Sequence, residues 1–393
     1  MASQLQLNVS PFLSSDESRF FMHVFNTETA PRLFPAAPHI FLHRMVSAAV
    51  ETPCLLYALL ASACSHHSRL IQDRRPQSRM ARLKFTNMAI SGLRAAIMNS
   101  SGTLNAEMVT TAMALCTNDL CNGHMDVWRT HLRGVMRLLA ILLTQGNSTE
   151  ADDAYLLCLV KWFTTMDVLA GLSGIHSSCF SDELNVSLSQ TSSQSNGVAD
   201  EVCGYSLELV PILTRISQLV HSRDMPGIID HGVPPDVMKE AHVLESKLDA
   251  LVHGSVLDAT TVAYPSGLRI ELERTHLAFA HSALLHLHRR VQMLPQTHPK
   301  VITDISNILD AFTHIQPFSP ANILVLWPLF SAGCETTDRQ QQAQIQERMS
   351  NMQSFGLGNF TRAKQHLTEF WASHTDLPWD VYFAQLGVEL VLF

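Results

Sequence analysis

Along most of this chain apolar residues recur three and four positions apart and almost nowhere alternate. From Trp128, the residues His131, Leu132, Val135, Leu138, Leu139 and Leu142 follow at offsets of 3, 4, 7, 10, 11 and 14, one stripe on a helix. Arg129, Arg133 and Arg137 fall on the far side of that helix and read as a solvated face. Gly134 lies beside the stripe; glycine costs about 1 kcal/mol relative to alanine there, so it is expected to let a neighbouring helix come close. Tyr155, Leu159, Trp162, Phe163, Met166, Leu169 and Ala170 repeat the spacing. Upstream, Ser14, Ser15 and Asp16 offer caps for a helix bearing Phe20, Phe21, Val24 and Phe25 on one face, before Pro31, Pro35 and Pro38 break the chain. Further helices are predicted over 40–50, from Pro53 onward, over 77–98 and over 105–121. Beyond residue 205 the same periodicity marks 207–220, 236–252, 268–294, 300–315, a polar 339–352 and an amphipathic 360–371.

One stretch breaks the amphipathic rule. Residues 322–334 read Asn-Ile-Leu-Val-Leu-Trp-Pro-Leu-Phe-Ser-Ala-Gly-Cys, apolar on every side and well short of the ~20 residues a bilayer requires. Such a segment belongs in the middle of a protein. Pro328 has no amide proton and disfavours helix at Trp327, so a kink or a helix start is expected there. The pattern as a whole predicts an all-α fold: a single large helical domain of a dozen or more helices. A polar arm covers 1–14 and the N-terminal half 15–184. A Ser-, Gln-, Asn- and Gly-rich connector over 185–204, expected to be flexible, leads to the C-terminal half over 205–393. No fixed-period repeat and no strand alternation is visible.

Composition narrows the function classes. Apolar residues make up 46% and charged residues 16% of the 393 positions, which suits a folded chain with a large core. A formal charge of −8 works against a domain that neutralises nucleic-acid phosphates. The eight cysteines include no Cys-x2-Cys pair and read as buried thiols of a reducing compartment. The first residues show no secretory signal, and the most apolar run, 155–172, contains Lys161 and Asp167. A soluble intracellular protein without membrane spans is expected.

Chemistry is sparse. Asp152-Asp153 has the look of a magnesium-binding carboxylate pair, but the position one turn on is Leu156, which binds no cation; the pair reads as a helix N-terminus. Gly171-Leu-Ser-Gly lacks the spacing of a nucleophile elbow and reads as a helix end. His276, His281, His286 and His288 share one predicted helix without the His-x3-His spacing of a metal pair, and His66-His67 point apart. No phosphate-binding glycine loop occurs. Neither a catalytic residue nor a cofactor or metal site is predicted. Arg69, Arg74, Arg75, Arg79, Arg82 and Lys84 form a basic cluster interrupted by Asp73, Pro76 and Gln77; it reads as a charged loop more than as a nuclear-import signal.

The order of motifs carries more than any one of them. Trp128-x2-His131-x2-Gly134 is followed by Trp162, by Asp167-Val-Leu-Ala, and by Trp327-Pro328-Leu-Phe-Ser-Ala-Gly333-Cys334. This succession resembles the regulatory domain of fungal-specific transcription factors, the helical region that follows a binuclear zinc-cluster DNA-binding domain. The helix from Leu55 and the closing Phe370-Trp371 also suit it, and the resemblance spans roughly residues 12–390. The nine signature residues are implied to be structural. The resemblance implies a nuclear regulator of metabolic or secondary-metabolite genes. It would work through other transcription-regulatory proteins, as a homo- or heterodimer, and respond to a small-molecule effector. The family's six-cysteine zinc cluster is missing from these residues, the first cysteine being Cys54, so no direct DNA-binding module is expected. A helical enzyme of terpenoid-synthase type and a non-catalytic scaffold are the alternatives.

Overall fold

Helix α4 (Pro53–Leu70) shows how the N-terminal half is built. Pro53 starts it, and its small apolar residues leave every position from Leu55 to His66 buried except Tyr57. A helix apolar on all sides needs a shell, and α1 (Asp16–Val24), α3 (His39–Glu51), α5 (Pro76–Asn99) and α6 (Ala106–Asn122) supply it. The computed structural model describes residues 11–73, 75–100, 102–122, 128–145, 150–174, 199–223, 232–254 and 266–393. Among the described residues it contains helices and no strands.

Ser15 caps α1 by accepting from Ser18 N, as its position predicts. The face of that helix differs from expectation: Phe20 is exposed against His67, while Met22, Val24 and Phe25 are buried. Pro31 does not break the chain either. A π turn over Phe25–Thr29 leads directly into α2 (Ala30–Leu33), with Pro31 in its first turn, where the missing amide costs nothing.

α7 (Trp128–Thr144) presents Trp128, Leu132, Val135 and Leu139 to the core. α8 (Glu150–Ser173) is the most apolar of the long helices. Its segment Asp153–Ser173 is long and apolar enough to cross a membrane, yet 83% of that window is buried inside the protein. Lys161, the charge interrupting it, is satisfied by Asp200 at 2.6 Å. Asp200 also accepts from Val202 N and Cys203 N, and Cys203 is buried. The last residues of the expected connector, 199–204, are therefore tightly anchored; its residues 185–198 lie outside the described ones.

The C-terminal half comprises α9 (Leu209–Arg223), α10 (Pro235–His253), α11 (Ser266–His286), α12 (Pro299–Thr313), α13 (Leu326–Glu335), α14 (Arg339–Gln353), α15 (Gly358–Ser373) and α16 (Trp379–Gln385). All ten residues of α13 are buried. A 3-10 turn over Pro320–Val325 precedes it, so Pro328 lies in a first turn and marks a helix start.

The two halves share one hydrophobic core. His66 on α4 hydrogen-bonds Phe355 O at 2.8 Å, and the chain end reaches back. Phe393 meets the Trp128 ring edge-on at 5.7 Å, its carbonyl accepts from Asn359 Nδ2, and Glu389 pairs with Arg129.

A candidate effector cleft behind a charged π turn

The nine signature residues do not converge on one site. Trp128 is buried under the chain end with the Arg129 guanidinium 4.7 Å from its ring centre. Arg129 also donates to Ala170 O, so only Arg133 and Arg137 keep the solvated face expected of all three. His131 pairs with Asp119 at 2.9 Å, and that bond raises its pKa. Gly134 faces open space: a Cβ built there meets nothing within 4 Å, so the expected close helix approach is absent. Trp162 packs edge-on against Phe34 at 4.7 Å, and Asp167 is buried.

Trp327, Pro328, Gly333 and Cys334 all lie on α13. Trp327 stacks near Phe279 and His286 with 0% exposure. Gly333 is where helices meet closely: a Cβ there would lie 2.7 Å from Leu367, and its carbonyl accepts from Trp371 Nε1 at 2.8 Å. Burial pushes the Cys334 thiol well above its ordinary pKa, which makes it a packing residue rather than a nucleophile.

The histidines expected on one helix separate into two surroundings. α11 ends at His286 and the chain continues as a π turn over Leu287–Val291. His276 and His286 are buried in the core, and burial pulls both down to about 4. The π turn then carries three successive basic side chains to four other helices. His288 sits between Asp304 of α12 (Nδ1, 2.6 Å) and Glu245 of α10 (Nε2, 3.2 Å). Arg289 pairs with Glu335 of α13, and Arg290 Nε reaches both Asp380 oxygens of α16 at 2.7 and 2.8 Å. A π turn closes i→i+5 bonds and fits more residues into each turn than an α-helix, and here three neighbouring side chains reach different elements.

Charges in this cluster hold one another. Burial opposes ionisation of Glu245, but hydrogen bonds from Lys300, Gln292 and His288 overcome it and hold the carboxyl at about 2. Burial likewise opposes charge on His288, and Asp304 with Glu245 outweighs it, so its pKa is raised.

In front of the cluster, α10, α11 and α12 enclose a cleft of about 730 Å³, within the range of small-molecule sites. Val252, Leu277, Leu284 and Ala311 give it apolar wall. Asp249 and Asp310 line it from opposite helices with exposed side chains. Arg274 Nε and His281 Nδ1 also line it, both buried and without a hydrogen-bond partner among the described residues. His281 is neutral at pH 7, since burial lowers its pKa to about 4. Sequence reading singled out the histidines but not this cleft, because its carboxylates come from helices more than fifty residues apart. Among the described residues no group of three or more His, Cys, Asp or Glu side chains is placed to hold a metal ion.

The family profile described as fungal specific transcription factor domain matches residues 19–393. No curated protein and no solved structure matches the chain. The profile covers both halves of the shared core, from α1 through the chain end that seals Trp128. By that match the chain belongs to the fungal specific transcription factor domain family, whose members are in general nuclear, non-enzymatic regulators of transcription.

Proposed function

We propose that this protein is a transcriptional regulator of the zinc-cluster type. It controls metabolic or secondary-metabolite genes from the nucleus through contacts with other regulatory proteins. The observation that carries this reading is the family match across nearly the whole helical core. The 393 residues contain no Cys-x2-Cys pair. In this reading, DNA is reached through a partner or through residues outside this chain. The cleft between α10, α11 and α12 is the site offered to an effector. Asp249 and Asp310 supply negative charge and have no ion-pair partner among the described residues, Arg274 supplies positive charge, and the walls are apolar. That combination suits a zwitterion of amino-acid type: an ammonium for the carboxylates, a carboxylate for the guanidinium and an apolar side chain for the wall.

The regulatory reading is tested by tethering the whole chain to an unrelated DNA-binding module upstream of a reporter in a fungal cell. A several-fold change in reporter output is expected. An unchanged reporter, with the fusion shown to be present and nuclear, would overturn the reading. The effector reading is tested by thermal denaturation with the free amino acids, simple amines and simple carboxylates. Stabilisation by a zwitterion, lost in Arg274→Ala, is expected; stabilisation by none of them removes the cleft from the proposal.

A further inference from the structure

α5 is the least buried long helix of the protein. Of its 24 residues only Phe85 and Ala89 are buried, and the Phe85 ring lies against Tyr57 of α4 and Phe21 of α1. On the opposite side lie Met80, Leu83, Asn87, Ile90, Arg94 and Ile97, all exposed. Their spacing is 3, 4, 3, 4, 3, the alternation of a and d positions in a coiled-coil seam. At 1.5 Å per residue the seam runs for roughly 25 Å. Met80 is 65% exposed and Ile90 43%, so apolar seam positions stand in solvent along its length. A core-facing helix does not need a second apolar stripe facing away from the core; a helix that packs on two sides does.

Charge says what kind of second helix fits. α5 carries Arg79, Arg82, Lys84 and Arg94 and no acidic residue, in a chain whose net charge is −8. Arg82 is turned inward to Asn122 Oδ1 at 2.7 Å, and Lys84 lies 3.6 Å from Glu17. Arg79 and Arg94 flank or interrupt the seam and have no partner among the described residues. At the helix start, Arg69, Arg75, Arg79 and Arg82 line a cavity of about 250 Å³ together with Asp73, which Arg75 already pairs at 2.7 Å. A second copy of α5 in parallel register would set Arg94 against Arg94 and Arg79 beside Lys84, which costs rather than gains.

We propose that the outward face of α5 is a docking surface for an acidic amphipathic helix of a partner protein. The partner's apolar stripe packs on Met80, Leu83, Ile90 and Ile97. Its flanking carboxylates meet Arg79 and Arg94. Asn87 and Arg94, the polar seam positions, fix the register as polar a positions do. This deepens the reading of a regulator that works by protein contact and rests on it, but the two fail separately. The tethered reporter can respond whichever surface is used, and helix docking can be measured with no transcription at all.

The probe is a fluorescein-labelled 21-residue helical peptide with Leu at a and d and Glu at e and g. Two controls carry Lys at e and g, or the same composition with the Leu spacing scrambled. Fluorescence anisotropy with the purified full chain is expected to show the Glu peptide binding at least tenfold more tightly than either control. Affinity should weaken as salt is raised, since the pairs are exposed. Ile90→Asp and Arg94→Glu should each lower affinity at least tenfold while circular dichroism stays that of the wild type. Both residues are exposed, so folding is not at stake, and Val243→Asp, at an exposed position of α10, serves as a variant expected to bind normally. Three results would overturn the proposal: equal binding of the Lys peptide; unchanged binding in both α5 variants; or sedimentation showing a dimer that Ile90→Asp dissolves, which would assign the seam to a second copy.

Discussion

Two glycines make a paired experiment in which identical substitutions move stability in opposite directions. Gly134 is a middle residue of α7 and nothing lies within 4 Å of a Cβ placed on it. Gly134→Ala therefore gains helix propensity and meets no obstacle, a stabilisation of about 0.8–1 kcal/mol. Gly333 lies in the last turn of α13, and its Cβ would fall 2.7 and 3.1 Å from the two Leu367 methyls and 3.4 Å from Ile345. Carbon atoms rest at ~3.5–4 Å, so Leu367 must retreat by nearly 1 Å. It is 1% exposed, and Ile345 beside it is fully buried, so there is little free direction. Overpacking of this kind costs about 1–3 kcal/mol, more than the propensity gain returns. The Trp371 hydrogen bond to Gly333 O is disturbed as well. The two variants should thus differ by about 1–3 kcal/mol, Gly134→Ala lying above and Gly333→Ala below the wild type. Urea unfolding followed by far-UV circular dichroism reads this as midpoints displaced either way from wild type at constant slope. A destabilised Gly134→Ala, or a Gly333→Ala as stable as Gly134→Ala, would refute the packing argument.

Other outcomes follow from charge and burial. His66, His276, His281 and His286 are held at about 4 by burial against 6.5 when free. Between those values the unfolded chain binds protons that the folded one does not, so stability falls as pH falls from 6.5 to 4, by up to about 1.4 kcal/mol per unit for each histidine. His288 works the other way: its folded pKa is raised, so its contribution is complete below 6.5 and lost as pH rises through the folded value. Urea midpoints between pH 7 and 4.5 test this, and a flat profile contradicts it. Asp200→Asn leaves Lys161 buried without its counter-charge and should cost on the order of 3–5 kcal/mol, whereas Lys161→Met with Asp200→Asn, which keeps an acceptor for Val202 N and Cys203 N, should cost far less; equal losses would mean that the charge on Lys161 is not what matters. Trp327→Ala, in the fully buried centre of α13, should cost about 3–5 kcal/mol by the same unfolding assay, and a loss under 1 kcal/mol would show that α13 is not central.

Helix-by-helix reading of this chain succeeds where one element's own periodicity decides the matter. The stripe of α7, the all-apolar α4 and α13, and the helix start imposed by Pro328 depend on residues a few positions apart. It goes wrong where a distant segment intervenes. Arg129 has the spacing of a solvated residue, but Glu389, 260 positions away, folds over it. Gly134 and Gly333 look alike in sequence; only the tertiary structure, which lays Leu367 over Gly333 and leaves Gly134 open, distinguishes a tolerated glycine from a required one. Pro31 looks like a breaker, yet the π turn before it sets the chain so that its missing amide falls in a first turn.

The candidate cleft follows the same division. Its histidines are conspicuous in the sequence, but Glu245, His288 and Asp304 become a cluster only when three helices are packed. The π turn at 287–291, which no side-chain pattern announced, sends adjacent residues to separate partners. The α5 seam is the reverse case: its 3-4 spacing is written in the sequence, but which of the helix's apolar faces is spent on the core had to be seen. Periodicity determined the all-α class and most of the helices, and the order of a few tryptophans and glycines carried the resemblance to the family that the profile match shows. Tertiary structure alone decided which charges are buried in pairs, which glycines are packed and which apolar stripe is left facing water. The reason is that helical periodicity is set by neighbours within two turns, whereas burial and charge pairing are set by whatever the rest of the chain brings alongside.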